Sequence, residues 1–259
     1  MTFSPRPTQN RLLNMLQATE EKTFFLQLQL VYLQEGEVLF ESGQQLTYSY
    51  FPTSVVISTV FEGKHTLRLE TEAIRNDGVF GLPPMMDNLF IARAVVQTAG
   101  HAYRIETSIL NKEISRSHDL VQIILRYFQL RMAKIAQIAI CSRFHNIEQQ
   151  LSRILLNILD YSPTNTIVIT HKTIADKLNV RRESITFHLA NMHRAGIVNV
   201  MRGKLVVLNR AALEKRTCEC YQVVANEADR LLNCSNSQPS NGFMEHKIPI
   251  KDLEYRYAY

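Results

Sequence analysis

The segment from residue 170 to residue 204 contains the side chains of this chain that are best suited to contact a nucleic acid. Arg181, Arg182 and Glu183 are consecutive. Arginine can form two hydrogen bonds with guanine, and glutamate can accept one from N4 of cytosine. Other residues of the segment can contact bases or phosphates: Thr170, Lys172, Thr186, Phe187, Arg194, Arg202 and Lys204. The segment therefore predicts binding to double-stranded DNA.

Two helices joined by a short turn are expected to position these side chains. Thr170 is placed to cap the first helix, and Asn179 can adopt the left-handed conformation that a tight turn needs. The second helix spans about 182–195 and ends at Gly196. At about 100° per residue, one apolar face of each helix points inward. The inward residues are Ile174, Ala175 and Leu178 on the first helix and Ile185, Leu189 and Met192 on the second.

Two short strands follow Gly196, in the sequence IVNVMRGKLVVLN. They flank Arg202 and Gly203, so Arg202 and Lys204 are expected within reach of phosphates. A plain helical hairpin is the alternative interpretation, because its apolar spacing is common. The small Ala175, the short turn, the Arg181–Arg182 pair and the hairpin together favour a winged helix-turn-helix.

Positive charge is concentrated in the same region. Residues 171–216 carry ten lysines and arginines against three acidic residues, a net charge of +7, whereas the whole chain carries +5. A basic module beside a nearly neutral one is typical of a chain in which one part binds a polyanion. A solvated basic face that binds nothing is the alternative.

The first half of the chain contains short runs of β-branched and aromatic residues separated by turns. Six of the nine glycines lie between residues 36 and 100. Glu62-Gly63-Lys64 lies between two such runs and is expected at a hairpin tip. This pattern predicts a small barrel or sandwich, with one or two short helices from residues 8–30 packed on it.

A long helix is expected after this domain, because residues 107–143 contain neither glycine nor proline. Its apolar residues follow the alternating spacing of a heptad repeat: Val121, Leu125, Phe128, Met132, Ile135 and Ala139. An ordinary core-facing stripe is the alternative. Further apolar residues lie on its other faces, so the helix needs partners on two sides and we expect it to dimerise.

Two more helices are expected in the C-terminal half. Residues 147–160 are amphipathic, and a final helix is expected from an N-cap at Asn209 to about Val224. The sequence from 225 to 259 reads as a polar tail, and no structure is assigned to it.

The chain resembles the Crp/Fnr-type transcription regulators over about residues 10–224. The most specific stretches are FPTSVVISTV, RAVVQTAGHAYRI, CSRFHNIEQQLSRILL, LNVRRESITFHL, RAGIVNVMRGKLVVLNRAALE and CECY. The resemblance implies an α+β fold with a β-roll (double-stranded β-helix) sensory domain at 1–118, a dimerisation helix at 119–145 and a winged helix-turn-helix at 146–224. It also implies a bacterial, cytoplasmic homodimer on a near-palindromic site, with RNA polymerase as a candidate partner.

The sequence departs from the family pattern in its recognition helix. Arg182 and Glu183 retain the Arg-Glu pair of the best-known members, but Phe187 stands where those members have a second base-reading arginine. Phenylalanine cannot donate to guanine; it can contact a thymine methyl group or leave the base at that position unread. We therefore expect a different base preference at that position.

The effector pocket departs further. Cyclic-nucleotide binders of the family use a Gly-Glu pair and an arginine, but here Gly81 is followed by Leu82 and two prolines. Arg93 lies nearby, out of register with the phosphate-binding arginine, and a surface or ion-pairing role is expected for it. Since burying a phosphate without charged partners is costly, we expect neither cyclic AMP nor cyclic GMP to bind.

The sequence identifies no metal or other cofactor, and it leaves open an unidentified effector that modulates the regulator. The family's iron–sulfur branch has clustered N-terminal cysteines, and this chain has no cysteine before Cys141. Cys218 and Cys220, with Cys234, form the only candidate cluster. On a helix the first two thiols would point about 200° apart, which suits chelation poorly. The histidines show no metal-binding spacing.

Composition and patterning exclude other classes of protein. No apolar stretch approaches the ~20 residues of a membrane span, the N-terminus lacks the apolar core of a signal peptide, and four cysteines fit a reducing cytosol. A cupin-like β-barrel enzyme is an alternative, but His65 and His101 are solitary. A winged helix used only for protein contacts is another, although it has no need of the basic charge. A non-enzymatic regulator is therefore expected.

Overall fold

The computed structural model describes residues 5–17, 22–62, 68–82, 92–162 and 164–233. These residues form an N-terminal β-roll with flanking helices, one long helix and a C-terminal winged helix-turn-helix. The predicted α+β fold class is therefore confirmed.

Within the described residues, seven antiparallel strands form the β-roll: β1 (Gln29–Leu33), β2 (Val38–Phe40), β3 (Tyr48–Pro52), β4 (Val56–Glu62), β5 (Arg68–Ile74), β6 (Arg93–Thr98) and β7 (Gly100–Glu106). They are arranged in two sheets, β1-β7-β3 and β2-β6-β4-β5. Alternate residues of the strands, such as Ala94, Val96 and Ala102, are buried, because strand side chains alternate between faces. The roll thus has its own apolar core. The hairpin tip predicted at Gly63 lies outside the described residues.

The α-helices that flank the roll in the described part of the chain are α1 (Arg11–Gln17), α2 (Lys22–Leu26), α3 (Thr107–Arg116) and α4 (His118–Phe144). Ser117 separates α3 from α4 and caps α4, its side chain accepting a hydrogen bond from the Leu120 backbone N–H. One face of α4 packs against the roll and α1, and the hydroxyl of Tyr127 donates to the Val79 carbonyl at 3.1 Å. The long predicted helix is therefore anchored along one side.

The C-terminal domain contains these elements: α5 (Ile147–Leu159), β8 (Thr166–Val168), α6 (His171–Leu178), α7 (Arg182–Arg194), β9 (Val198–Met201), β10 (Lys204–Val207) and α8 (Arg210–Glu214). Asn146 and Gln149 form a capping box that starts α5. The inward faces of α5, α6 and α7 share one core with the strands β8, β9 and β10, so this domain has a hydrophobic core of its own.

The predicted C-terminal boundary is wrong by about two helical turns. The final helix is broken into α8 and α9 (Cys220–Leu232), so the helix continues past Val224 into the segment expected to be a polar tail. Ala228, Leu231 and Leu232 are buried in the core shared by α1 and α4, and Arg11 pairs with Asp229 at 3.2 Å. This docking against distant helices stabilises a segment whose own composition is polar. Residues 234–259 lie outside the described part of the chain.

A buried ion pair joins the two halves of the chain. Asp77, just after β5, is 3% exposed and accepts hydrogen bonds at 2.7 Å from Lys134 of α4 and from the hydroxyl of Tyr161, which follows α5. The guanidinium of Arg75 lies over the Tyr161 ring, 4.9 Å from its centroid. The β-roll, the long helix and the C-terminal domain therefore meet at one carboxylate.

Candidate DNA-binding surface

The helix-turn-helix is built as the sequence predicts. The Thr170 side chain accepts a hydrogen bond from the Thr173 N–H and caps α6. Asn179 has φ +50° and ψ +47°, which places it in the left-handed conformation. The residues Ile174, Ala175, Ile185, Leu189 and Met192 are buried. The local signals for caps, turn and inward face are thus confirmed.

Each of the ten side chains predicted to contact DNA is exposed. They lie at the start of α6, along the outward face of α7 and on the hairpin between β9 and β10: Thr170, Lys172, Arg181, Arg182, Glu183, Thr186, Phe187, Arg194, Arg202 and Lys204. Exposure along the whole outward face of α7 is what a helix needs to enter a major groove.

The N-terminal turn of α7 is tied to α6. The hydroxyl of Thr186 donates to the Arg182 carbonyl at 3.1 Å and lies 3.0 Å from Nδ1 of His171. Burial, with a smaller contribution from the charge of Arg182, lowers the pKa of His171, so the imidazole is held neutral at neutral pH. Thr186 is therefore engaged by protein groups that link the start of α7 to α6.

Phe187 is the unusual side chain of this surface. It is 60% exposed, and its ring lies edge-to-face with the ring of His188 at 5.4 Å between centroids. At the far end of the helix, Arg194 donates from Nη2 to Oδ1 of Asn191 at 2.5 Å. The outward face of α7 thus combines an apolar contact group with arginines at both ends.

The sheet of the wing, which the sequence predicts as the two strands around Arg202 and Gly203, contains one strand more than predicted. β8 pairs with β10 antiparallel, and β10 pairs with β9, which gives a three-stranded sheet in the order β8-β10-β9. Gly203 has φ +75° in the turn between β9 and β10, which a residue with a side chain rarely adopts. The β-branched residues Thr166, Ile167 and Val168 are the sequence signal that would have predicted β8.

Part of the positive charge of this domain is neutralised by ion pairs. Arg210 pairs with Asp160 at 2.6 Å and with Glu214 at 2.8 Å, and Arg216 pairs with Glu148 at 3.0 Å. These arginines hold α8 and its following turn against α5. They were counted in the basic charge of residues 171–216, but they belong to the structure of the domain.

The heptad face of α4 is exposed along most of its length. Val121, the first residue of the predicted stripe, is half-buried, and Ala139, the last, is exposed. The large side chains of the predicted dimer stripe are exposed: Leu125, Phe128, Met132 and Ile135. Met132 is 69% exposed. The opposite face is buried in the core described above. The stripe is therefore not the core-facing one of the alternative interpretation.

The two residues predicted for the effector pocket have structural partners. Nε of Arg93 lies 3.1 Å from Oε1 of Glu41 in an ion pair. The Gly81 carbonyl accepts from the Ser49 hydroxyl at 2.6 Å, and a Cβ at Gly81 would lie 2.8 Å from the Tyr48 carbonyl oxygen. Glycine is thus required there by a close backbone approach. Residues 83–91, between these two positions, are outside the described residues.

The geometric reason for excluding a metal site is wrong. Cys218 lies in the loop before α9, and only Cys220 is helical, so the 200° separation of a helical Cys-x-Cys does not apply. The ligand atoms of Cys141, His145, Cys218 and Cys220 lie within 4.8 Å of one another. Among the described residues this is the only such group of three or more, and it lies outside the β-roll that a cupin enzyme would use. Cys234 lies beyond the described part of the chain.

No helix within the described ranges is both long enough and apolar enough to cross a lipid bilayer.

The chain was compared with known protein families and with curated sequences. Residues 149–216 match the Crp-like helix-turn-helix domain family. A search of curated protein sequences finds no significant match.

Solved structures of regulators resemble the chain over most of its length. FixK2 from Bradyrhizobium japonicum aligns with a TM-score of 0.65 at 13% identity, covering 74% of this chain and 98% of that one. A putative transcriptional regulator of the Crp/Fnr family from Eubacterium rectale gives 0.62 at 18%, covering 83% and 99%. TTHB099, a transcriptional regulator of the CRP family from Thermus thermophilus, gives 0.61 at 17%, covering 72% and 95%.

At these identities the structural likeness establishes the fold. The chain has a Crp-like helix-turn-helix domain within the fold of the Crp/Fnr-type transcription regulators, so the resemblance seen in the sequence is confirmed.

Proposed function

We propose that the chain is a cytoplasmic bacterial transcription regulator that binds a near-palindromic DNA site as a homodimer. The observation that carries this proposal is the outward face of α7, which is exposed along its length and has Arg182 and Glu183 at its start. α7 lies in the major groove, where Arg182 contacts guanine, Glu183 accepts from cytosine and Phe187 contacts a thymine methyl group. Arg202 and Lys204 of the wing contact phosphates.

The exposed stripe of α4 supports the homodimer. Apolar side chains at heptad spacing pack against the same stripe of a second α4, which removes Leu125, Phe128 and Met132 from water. A two-fold axis along this seam relates two copies of α7. Half-sites about one helical turn of DNA apart, roughly 34–36 Å, are then read as an inverted repeat.

The proposal is tested by selecting bound sequences from a random duplex library with the purified chain and no added ligand. Enrichment of an inverted repeat is expected, with one half-site position that departs from guanine where Phe187 reads the base. Enrichment of single, unrepeated sites would contradict the homodimer. Absence of any enrichment, with intact folded protein, would favour a winged helix that serves protein contacts.

The same purified chain tests the absence of cyclic-nucleotide recognition. Arg93 is neutralised by Glu41, and a phosphate without charged partners is poorly stabilised in a protein interior. Isothermal titration calorimetry with cyclic AMP and with cyclic GMP is expected to show no binding. A micromolar dissociation constant for either nucleotide would overturn this expectation.

A further inference from the structure

Four potential ligand side chains converge where the long helix meets the C-terminal domain. Cys141 lies in the last turn of α4, and His145 is the residue that caps its C-terminal end. Cys218 lies in the loop after α8, and Cys220 is the first residue of α9. The three cysteines are buried, and the side chain of His145 is 12% exposed.

Two of the six distances between the ligand atoms are close to the edge lengths of a tetrahedron around one ion. Sγ of Cys141 lies 3.6 Å from Sγ of Cys218, and Sγ of Cys220 lies 3.3 Å from Nδ1 of His145. A tetrahedral zinc ion, with Zn–S of about 2.3 Å and Zn–N of about 2.0–2.1 Å, holds its ligand atoms roughly 3.5–3.8 Å apart. The 4.8 Å limit on all separations leaves room for a single ion.

The surrounding groups orient the histidine. Nε2 of His145 lies 3.2 Å from Oε1 of Glu219. A carboxylate at this nitrogen keeps the proton on Nε2 and leaves the lone pair of Nδ1 directed at the cysteines. Carboxylate–histidine pairs of this kind commonly support zinc ligands.

Hydrogen-bond donors are directed at two of the sulfur atoms. Nε2 of Gln137 donates to Sγ of Cys220 at 3.1 Å, and Nε of Arg153 donates to Sγ of Cys141 at 3.2 Å. Three thiolates and one Zn²⁺ carry a net charge of −1, which the guanidinium of Arg153 balances.

We propose that Cys141, His145, Cys218 and Cys220 bind one zinc ion in a tetrahedral Cys₃His site. Four protein ligands leave no open coordination position, so the site is structural rather than catalytic. The ion joins the end of α4 to the start of α9, and the hydrogen bond from Arg153 to Cys141 links the site to α5. The ion therefore fixes the DNA-binding domain relative to the proposed dimerisation helix.

The test begins with the full-length chain, reduced, freed of metal with a chelator and then supplied with zinc alone. About one zinc ion per chain is expected to remain after gel filtration. X-ray absorption at the zinc edge is expected to show three sulfur ligands and one nitrogen ligand. A chain that retains no zinc, or holds it through oxygen and nitrogen alone, would overturn the proposal.

Substitution then assigns the ligands. Cys220→Ser is expected to lose most of the bound zinc, whereas the matched control Cys234→Ser keeps it. Loss of zinc in Cys234→Ser with retention in Cys220→Ser would overturn the assignment. If Cys220→Ser does not fold, the ligand count at the zinc edge of the unaltered chain still decides. A Cys141–Cys218 disulfide in a chain that binds no zinc when reduced would also overturn it. None of these readouts involves DNA, so their failure is distinct from failure of the proposed function.

Discussion

Arg182 occupies the first position of α7, where its exposed side chain can reach base edges while its carbonyl accepts from Thr186. Removing a bidentate contact to guanine costs about 1–3 kcal/mol and relaxes the preference at one base pair. Arg182→Ala is therefore expected to bind the selected operator more weakly and to discriminate less at a single position of each half-site. Competition binding against operators mutated base by base measures both effects.

The matched control for Arg182→Ala is Arg116→Ala. Arg116 is exposed at the end of α3, in the β-roll half of the chain, and its substitution removes the same charge. Operator affinity should be nearly unchanged in this variant. Equal losses in the two variants would mean that Arg182 contributes only general charge.

Alanine substitutions of Phe187 and Lys204 are expected to weaken DNA binding in different ways. Phe187→Ala removes an apolar contact, so preference for a thymine at one position should weaken while the dependence of binding on salt is unchanged. Lys204→Ala removes a phosphate contact, which should weaken binding to all sequences and lower the slope of log affinity against log salt by about 1. Titrations at several salt concentrations separate the two. A changed salt slope in Phe187→Ala would contradict its assigned role.

Substitution of Met132, an exposed residue of the apolar stripe of α4, tests whether this helix forms the dimer seam. Because Met132 is 69% exposed in the single chain, glutamate at this position costs the folded monomer little. In a seam it would place like charges on either side of the two-fold axis. Met132→Glu is expected to sediment as a monomer and to bind the operator at least tenfold more weakly, since it loses the second half-site.

The control for Met132→Glu is Gln17→Glu, since Gln17 is exposed at the end of α1 and gains the same charge away from the stripe. Gln129 of α4 is not used for this purpose, because its side chain donates a hydrogen bond to Glu227 of α9. The Gln17→Glu variant should remain dimeric. An intact dimer of Met132→Glu in sedimentation velocity would rule out α4 as the seam.

The elements that the sequence predicts correctly are those with local causes. Thr170 and Asn179 determine the start and end of α6 through bonds and conformations within a few residues. The heptad face of α4 could also be recognised from spacing. The extent of α9 could not, because Ala228 and Leu231 are held by contacts with helices far earlier in the chain. The pairing of Cys218 and Cys220 with Cys141 and His145 could not be predicted for the same reason, since it depends on where α9 begins and on its packing against α4.

Asp77 connects the parts of the whole molecule. Burial is the largest single influence on the pKa of Asp77, and it raises that pKa. The ion pair and hydrogen bond with Lys134 and the hydrogen bond from Tyr161 together outweigh burial, so the pKa of Asp77 is lowered overall. A carboxyl group whose pKa is lower in the folded state stabilises the fold above its unfolded pKa, about 3.9, and loses that contribution as pH falls through the folded value.

Asp77→Asn is accordingly expected to lower the free energy of unfolding at neutral pH by about 1–3 kcal/mol. The difference from the unaltered chain should shrink below about pH 4. Glu41→Gln, which removes the more exposed ion pair with Arg93, is the control and should cost at most about 1 kcal/mol. Urea unfolding across pH measures these differences. A constant difference between Asp77→Asn and the unaltered chain at all pH values would contradict the assignment.

The half-buried state of α4 has a consequence for gene dosage. A chain that completes its hydrophobic surface only with a second copy occupies its operator as the square of its concentration while monomers predominate. Doubling expression from a low level would then raise promoter occupancy about fourfold. In the proposed homodimer, the uncovered stripe of a single helix would thereby make the response of the target genes steeper than the change in the amount of protein.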